Sequence, residues 1–569
     1  MRITLDPLTR LSSGLRITVE LKDGYVVSAA CSGMAYRGLE QMLLNRSPMD
    51  AVYLTQRICG MCSASHATAA AGAIESACEA TGSVPRDALI VRNLLNGFEW
   101  LRSHLEHLYL GFMPDLADPM YGDALNSSDL GNLLWKELKG RYTAFEGEAC
   151  HDALLCIKAI SRAEGMLGGR SPGSPAIVPG GVTSTPTRGD IYALKECIEA
   201  ATAIVQKRLL GALSIEEWLE STHDGSGDGA FRYLEGLPMD SLSEEKGWGD
   251  LPLFMMFCSR MLAKDTLSLP AHIGLDRLGG YPLDDQLIGF LSYGSFYQDR
   301  DGYVPAGDER AGSFVMPAGF TSGGLQLLNA ADRLDPGLIV EHVYASFYEY
   351  GEGRTSEAPA SGKTIPAEKA DSIGYDGVKY SFIKAPRYGR VPCETGPLAR
   401  LINGRESLIV GTMQKLAGHR SAGYPLASVY TRTLARMQET LLLCRMLKGW
   451  IDGLDAGGRY CVRVTPGPGS AGRGLIEAPR GALGHWLAVG GDGKVSNYQV
   501  VAPTTWNASP KCSELKSGPI ELALLGGQTT PSGYLPGSEA NPVGLYHIVR
   551  SFDPCVSCAV HAIRRRFDG

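Results

Sequence analysis

The sequence predicts an α+β fold that is mainly α: a central bundle of long helices, short peripheral β-sheets and long loops, forming one large domain over 1–569. Three observations carry this. Apolar residues recur at steps of three and four over several long stretches, the mark of amphipathic helices. Beyond residue 459 the texture changes to short β-like runs separated by turns. Two related stretches then stand at opposite ends of the chain, Arg57-Ile58-Cys59-Gly60-Met61-Cys62-Ser63-Ala64-Ser65-His66 and Asp553-Pro554-Cys555-Val556-Ser557-Cys558-Ala559-Val560-His561. Each is a Cys-x-x-Cys pair followed by a His. A site shared by both would bring the N- and C-terminal ends together, which argues against independent modules.

In order, residues 15–31 read as a hairpin: Ile17, Val19 and Leu21 alternate with polar residues, Asp23-Gly24 turns, and Tyr25-Val26-Val27 returns. The alanine-rich run 64–80 predicts a helix. Residues 88–113 predict a clearer one, with Ile90, Leu94, Leu95, Phe98, Leu101, Leu105, Leu108 and Phe112 on one face. Further helices are predicted over 143–167, 189–220 and 425–451. Gly- and Pro-rich connections are expected at 168–188, 222–230 and 268–337, and a polar, exposed excursion at 351–372. Short strands are expected at 460–465, 486–489 and 498–502.

Composition narrows the function. With 44% hydrophobic and 20% charged residues, the chain has enough apolar material for a sizeable core. The net charge of -7 gives no basic face for nucleic acid. No run of about 18 apolar residues suggests a membrane span. The opening Met1-Arg2-Ile3-Thr4-Leu5-Asp6-Pro7 reads as neither signal nor transit peptide. Export, if it occurs, is expected to be directed by a partner, and the compartment stays open. Of fourteen cysteines, ten are scattered without paired spacing and read as small buried hydrophobes rather than a disulfide framework.

The remaining four sit in two Cys-x-x-Cys pairs, and two such pairs can offer four thiolates to one centre. Zinc, an iron–sulfur cluster and a soft redox metal such as nickel or iron all accept that donor set. Structural zinc usually closes a short loop, whereas these pairs lie almost a whole chain apart. Neither zinc nor a cluster explains the matching His after each pair or the Asp-Pro before the second.

The two stretches resemble the paired signatures of the large, catalytic subunit of nickel–iron hydrogenases, the respiratory uptake type most of all. The resemblance extends through Arg37-Gly38-Leu39-Glu40, Arg92-Asn93-Leu94, Ser103-His104-x-x-His107, Pro179-Gly180-Gly181-Val182, Lys384-Ala385-Pro386-Arg387-Tyr388, Gly396-Pro397-Leu398-Ala399-Arg400, Glu477-Ala478-Pro479-Arg480-Gly481 and Pro503-Thr504-Thr505-Trp506-Asn507, all in the family's order. It implies reversible splitting of H2 into protons and electrons at a Ni-Fe centre whose iron carries CO and cyanide. Cys59 and Cys555 would be terminal nickel ligands, and Cys62 and Cys558 bridges to iron. Arg480, by spacing alone a solvated loop charge, would lie over the metals, flanked by Asp553 and Asp115. Thr504 would bond a cyanide, and Pro479, Leu483 and Val501 would wall the CO pocket. His66, otherwise a core histidine, would tune a bridging sulfur. Glu40, otherwise a helix salt-bridge partner, would bind Mg2+ with the Val500 carbonyl and His561.

Because no cysteine set is left for a relay, the resemblance implies iron–sulfur clusters in a small-subunit partner, as a heterodimer or higher assembly. It also implies maturation machinery and a C-terminal protease; 562–569 is either a short extension that the protease removes or the tail of a protein that matures without cleavage. The chain departs from the family at one telling place. Where the opening motif usually runs Arg-Ile-Glu-Gly-His, this chain has Arg10-Leu11-Ser12-Ser13-Gly14, and a serine hydroxyl cannot accept a proton as a carboxylate does. Ser171-Pro172-Gly173 likewise replaces the usual Asn-Pro-His. Two rivals stand beside the enzyme: a hydrogen sensor or slow-turnover relative, and a zinc-stabilised binding protein.

Overall fold

The computed structural model describes residues 1–11, 14–23, 25–126, 128–223, 228–259, 273–281, 288–297, 314–351, 353–367, 378–419, 424–514, 516–525 and 542–559. Ser12, Ser13, His561 and the tail 562–569 lie outside them.

The bundle is four helices: Arg86–Leu105, Glu148–Gly168, Arg188–Leu210 and Val429–Asp452. Arg86–Leu105 and Arg188–Leu210 each pack against both of the others. Val429–Asp452 is buried along most of its length, including the charged residues Arg432, Arg436 and Glu439. Burying charge is costly unless it is paired, and here it is: Arg432 donates to both Glu394 oxygens at 3.0 Å, and Glu439 accepts from Arg400 at 2.7 and 2.8 Å and pairs with His104 at 2.7 Å. Glu439 is held down at about 2: burial pushes it up, but Arg400 and His104 outweigh that.

Several expectations shift in the structure. The predicted 189–220 helix is two, because Gly211 turns the chain at φ 69° and Ser214 starts Ile215–Thr222 with a reciprocal cap to Glu217. The 88–113 helix is α-helical to Leu105 and then opens into a π-turn over Glu106–Phe112. The 143–167 helix begins only at Glu148, after Gly147. Inside the supposed Gly/Pro-rich connection 268–337, Gly289–Tyr297 and Phe314–Ser322 pair antiparallel. Their aromatic content was the strand signal, and their glycines and prolines obscured it.

The hairpin is real: Leu15–Lys22 pairs with Tyr25–Gly33, and Arg2–Leu5 adds a third strand. Near the C-terminus Ala471–Ala478, Gly481–Val489 and Val495–Val501 form a three-stranded antiparallel sheet. The expected runs 486–489 and 498–502 fall in or against its second and third strands. Residues 460–465 form no strand beyond a bridge from Cys461 to Gly181. The excursion is mostly exposed as far as residue 367, anchored where Asn497 donates to the Ala360 and Gly362 carbonyls.

This sheet positions the first cysteine pair. Its strand Ala471–Ala478 lies directly on the alanine-rich helix Ser63–Ala77. A Cβ on Gly474 would fall 1.9 Å from the Ala69 carbonyl oxygen, so only glycine permits that approach.

Candidate metal centre

Cys62 is the N-cap residue of Ser63–Ala77, and Cys59 stands one turn before it in the link from the Asp50–Thr55 helix. The start of Ser63–Ala77 is closed by Glu99, whose carboxylate accepts from the backbone N–H groups of Ala64 and Ser65 at 2.6 and 3.0 Å. The second pair follows Asp553, which takes the left-handed region at φ 51°, a conformation aspartate tolerates better than most residues. Cys558 lies in the single-turn helix Val556–Ala559, and Cys555 just before it.

The four sulfurs converge. Cys59 Sγ lies 3.1 Å from Cys555 Sγ, Cys62 Sγ 3.0 Å from Cys558 Sγ, and Cys555 Sγ 3.1 Å from Cys558 Sγ. All four are buried and lie within 4.8 Å of one another. Hydrogen bonds from the other sulfurs hold Cys555 as thiolate, while burial pushes the thiols of Cys62 and Cys558 up. Four buried soft donors at this spacing fit a thiophilic metal centre, whose positive charge would draw all of them to thiolate.

Arg480 closes one side. Its Nε lies 3.1 Å from Asp553 Oδ2, and its Nη2 is 3.7 Å from the sulfur of Met61, between the first two cysteines. Burial opposes its charge, but Asp553 and the sulfurs of Cys555, Cys59 and Cys62 outweigh that and keep it a guanidinium. Burial pushes Asp553 up, against Arg480 and Arg436. Gly481 follows Arg480 at φ 132°, and a Cβ there would strike Thr395 Oγ1 at 2.3 Å. Arg400 fixes the same loop by donating to Glu477, the Ala478 carbonyl and the Pro479 carbonyl at 2.7–3.0 Å.

The other predicted residues fall as follows. Thr504 Oγ1 accepts from the Cys555 N–H at 2.8 Å. Pro479, Leu483 and Val501 are buried. His66 stands one helical turn after Cys62, and its Nδ1 is 3.0 Å from His485 Nε2. Glu40 Oε1 accepts from the Val500 N–H at 2.9 Å, while its buried Oε2 accepts no hydrogen bond among the described residues. A lone buried carboxylate oxygen of that kind fits a hard cation. Asp115 differs from the expectation of a flank to Arg480. It is instead clamped by Arg550, at 2.6 and 2.7 Å, and by Arg10.

Residues the sequence reading passed over complete the frame. Arg400 and His104 lie in quoted stretches without an assigned role. Arg436 donates to the Ser551 carbonyl at 3.2 Å, and His107 Nε2 is 2.6 Å from the Arg550 carbonyl oxygen. A histidine inside the apolar run of Gly481–Val489 was the available signal for His485.

Fold and donor set together define a metalloprotein built around a buried soft-metal centre that joins the two chain ends. A profile described as nickel-dependent hydrogenase matches residues 37–126 and 255–561. The periplasmic [NiFeSe] hydrogenase large subunit of Desulfomicrobium baculatum is 31% identical, aligning 99% of this chain with 95% of its own. The uptake hydrogenase large subunit of Rhodobacter capsulatus is 29% identical over 99% and 95%. A solved structure of the H2-activated Dm. baculatum [NiFeSe]-hydrogenase superposes with a TM-score of 0.73 at 28% identity, covering 99% of this chain and 100% of that one. The chain belongs to the nickel-dependent hydrogenase family, as a large subunit of the nickel–iron type, an oxidoreductase acting on H2. All four donor positions described above are cysteine, so its donor set is four sulfurs.

Proposed function

We propose that Cys59 and Cys555 bind nickel terminally, and that Cys62 and Cys558 bridge it to an iron carrying carbon monoxide and cyanide. The observation that carries this is the buried set of four sulfurs closed by Arg480 and Asp553. When bound, such a centre supplies heterolytic cleavage of H2 to two protons and two electrons, and the reverse. Arg480 presents a fixed, permanently charged donor group over the sulfurs, suited to hold an anionic ligand and polarise a small substrate. Thr504, which anchors the Cys555 backbone, offers a hydroxyl beside it. Pro479, Leu483 and Val501 keep water from one wall.

Electrons pass to iron–sulfur clusters in a small-subunit partner, since the other ten cysteines of this chain form no second set by spacing. Glu40 and the Val500 carbonyl hold Mg2+ together with His561. Maturation machinery loads the centre, and a protease removes 562–569, which the intact mass of the purified subunit would check. With Ser12 in place of a carboxylate, protons leave by another route or turnover is slow; Ser12→Glu tests this, and an unchanged hydrogen-oxidation rate would show that the missing carboxylate is not limiting.

The deciding experiment is an infrared spectrum of the purified complex with metal analysis on the same sample. Bands of metal-bound carbon monoxide and cyanide, with about one nickel per chain as four thiolates around a single ion require, are expected. Zinc without those bands would overturn the reading.

A further inference from the structure

One side chain reaches both cysteine loops. Arg37 Nη1 donates to the carbonyl of Ile58 at 2.5 Å and to that of Ser557 at 3.3 Å, and its Nη2 donates to the carbonyl of Arg57 at 2.6 Å. Ile58 directly precedes Cys59, and Ser557 directly precedes Cys558. A single guanidinium thus holds the residue before a cysteine in each pair, although the pairs lie almost a whole chain apart.

These carbonyls need a donor from outside their own segments. Arg57 and Ile58 turn their N–H groups back to the Leu54 and Thr55 carbonyls at 3.0 Å, but their own carbonyls lie past the end of Asp50–Thr55, where no further turn of that helix follows. Ser557 lies in Val556–Ala559, a single turn too short to satisfy its own carbonyls. Arg37 is placed by the chain that follows it. Gly38 turns at φ 63°, and Glu40, on Leu39–Leu43, accepts from the Val500 N–H at 2.9 Å. A planar guanidinium offers donors in a fixed fork and can span acceptors on two segments, which a compact ammonium cannot.

We propose that Arg37 is a positioning residue that ties the two cysteine loops together and so fixes Cys59 relative to Cys558 across the metal centre. The close sulfur pairs Cys59–Cys555 and Cys62–Cys558 run between these same two loops, so any slip of one loop against the other changes both at once. Groups that orient the ligands from outside tune a metal centre without touching it. This deepens the proposed nickel–iron function and rests on it.

The test uses the purified complex and reads amide hydrogen exchange in residues 57–62 and 555–559, beside the carbon monoxide and cyanide infrared bands and the nickel content. Arg37 is half-buried, so replacing it should leave the chain folded. Arg37→Met keeps an apolar stem and removes the fork. It should speed exchange about tenfold in both loops together and shift the bands. Arg37→Lys keeps a donor but cannot bridge, so its bands should shift as well. If Arg37→Met loses nickel, its exchange is compared with that of the wild-type chain prepared without nickel, and the same faster exchange in both loops is expected. Faster exchange in one loop only, wild-type exchange with wild-type bands in Arg37→Met, or wild-type bands in Arg37→Lys would overturn the inference while leaving the nickel–iron centre intact. A wild-type spectrum without such bands would overturn the nickel–iron function instead.

Discussion

The two cysteine pairs reach one point by opposite means. Cys59 and Cys62 ride on packed backbone. Their helix, Ser63–Ala77, is buried along almost its whole length, with glycines of the neighbouring strand pressed against its alanines. Cys555 and Cys558 sit on a single helical turn held by polar anchors: Asp115 on Arg550, His107 on the Arg550 carbonyl, Arg436 on the Ser551 carbonyl and Thr504 on the Cys555 N–H. A helix of fifteen residues can present a cap residue rigidly through its own packing, whereas a short terminal turn has to be pinned from outside. The first arm should therefore be sensitive to added volume, and the second to lost charge and hydrogen bonds.

The largest expected effect lies in the second arm. Asp115→Ala leaves Arg550 buried against Arg10 without its carboxylate, which should cost about 3–5 kcal/mol in chemical denaturation and release nickel. If stability and nickel content hold, the pinning account of this arm fails. In the first arm, Gly474→Ala drives a methyl group into the Ala69 carbonyl and should cost about 3 kcal/mol, the upper end for overpacking. A neutral result there would show that the helix can slide away from the sheet.

A third contrast is in pH. His547 lies on Val543–Ser551, beneath the second pair, and burial depresses it from 6.5 to about 4, with Arg550 adding to that and Asp115 opposing it. The unfolded chain takes up this proton first as pH falls. Stability present above about pH 6.5 is thus lost between there and about 4, by at most about 3 kcal/mol. His547→Phe should flatten that part of the stability profile, and an unchanged slope would assign the loss to other groups. The smallest effect is expected for Thr504→Val, which strips the acceptor from a buried N–H at a cost of about 1–2 kcal/mol. Denaturation midpoints with matched nickel content would check it.

Much of this was legible beforehand, for physical reasons. Long helices announce themselves because apolar residues must repeat at the helical period, and the cysteine pairs because metal ligands cannot be spaced arbitrarily. The break at Gly211 was readable from Ser214-x-x-Glu217, but the apolar period runs through it and hides it. The strands Gly289–Tyr297 and Phe314–Ser322 were masked because glycine and proline in a strand look like loop when pairing partners are unknown. Asp115 marks the limit for the site. Its place after a helix says nothing about which of several buried arginines it will meet, and that choice between Arg480 and Arg550 is made by tertiary packing. The contact between His66 and His485 was invisible for the same reason, since the two come from distant stretches of sequence.

The claim that both chain ends hold one ion is tested most directly by X-ray absorption at the nickel edge of the purified complex. The account predicts a sulfur-dominated nickel sphere whose sulfur contribution falls both in Cys59→Ser and in Cys555→Ser. A sphere of nitrogen and oxygen donors, or one that responds to only one of the two substitutions, would contradict it.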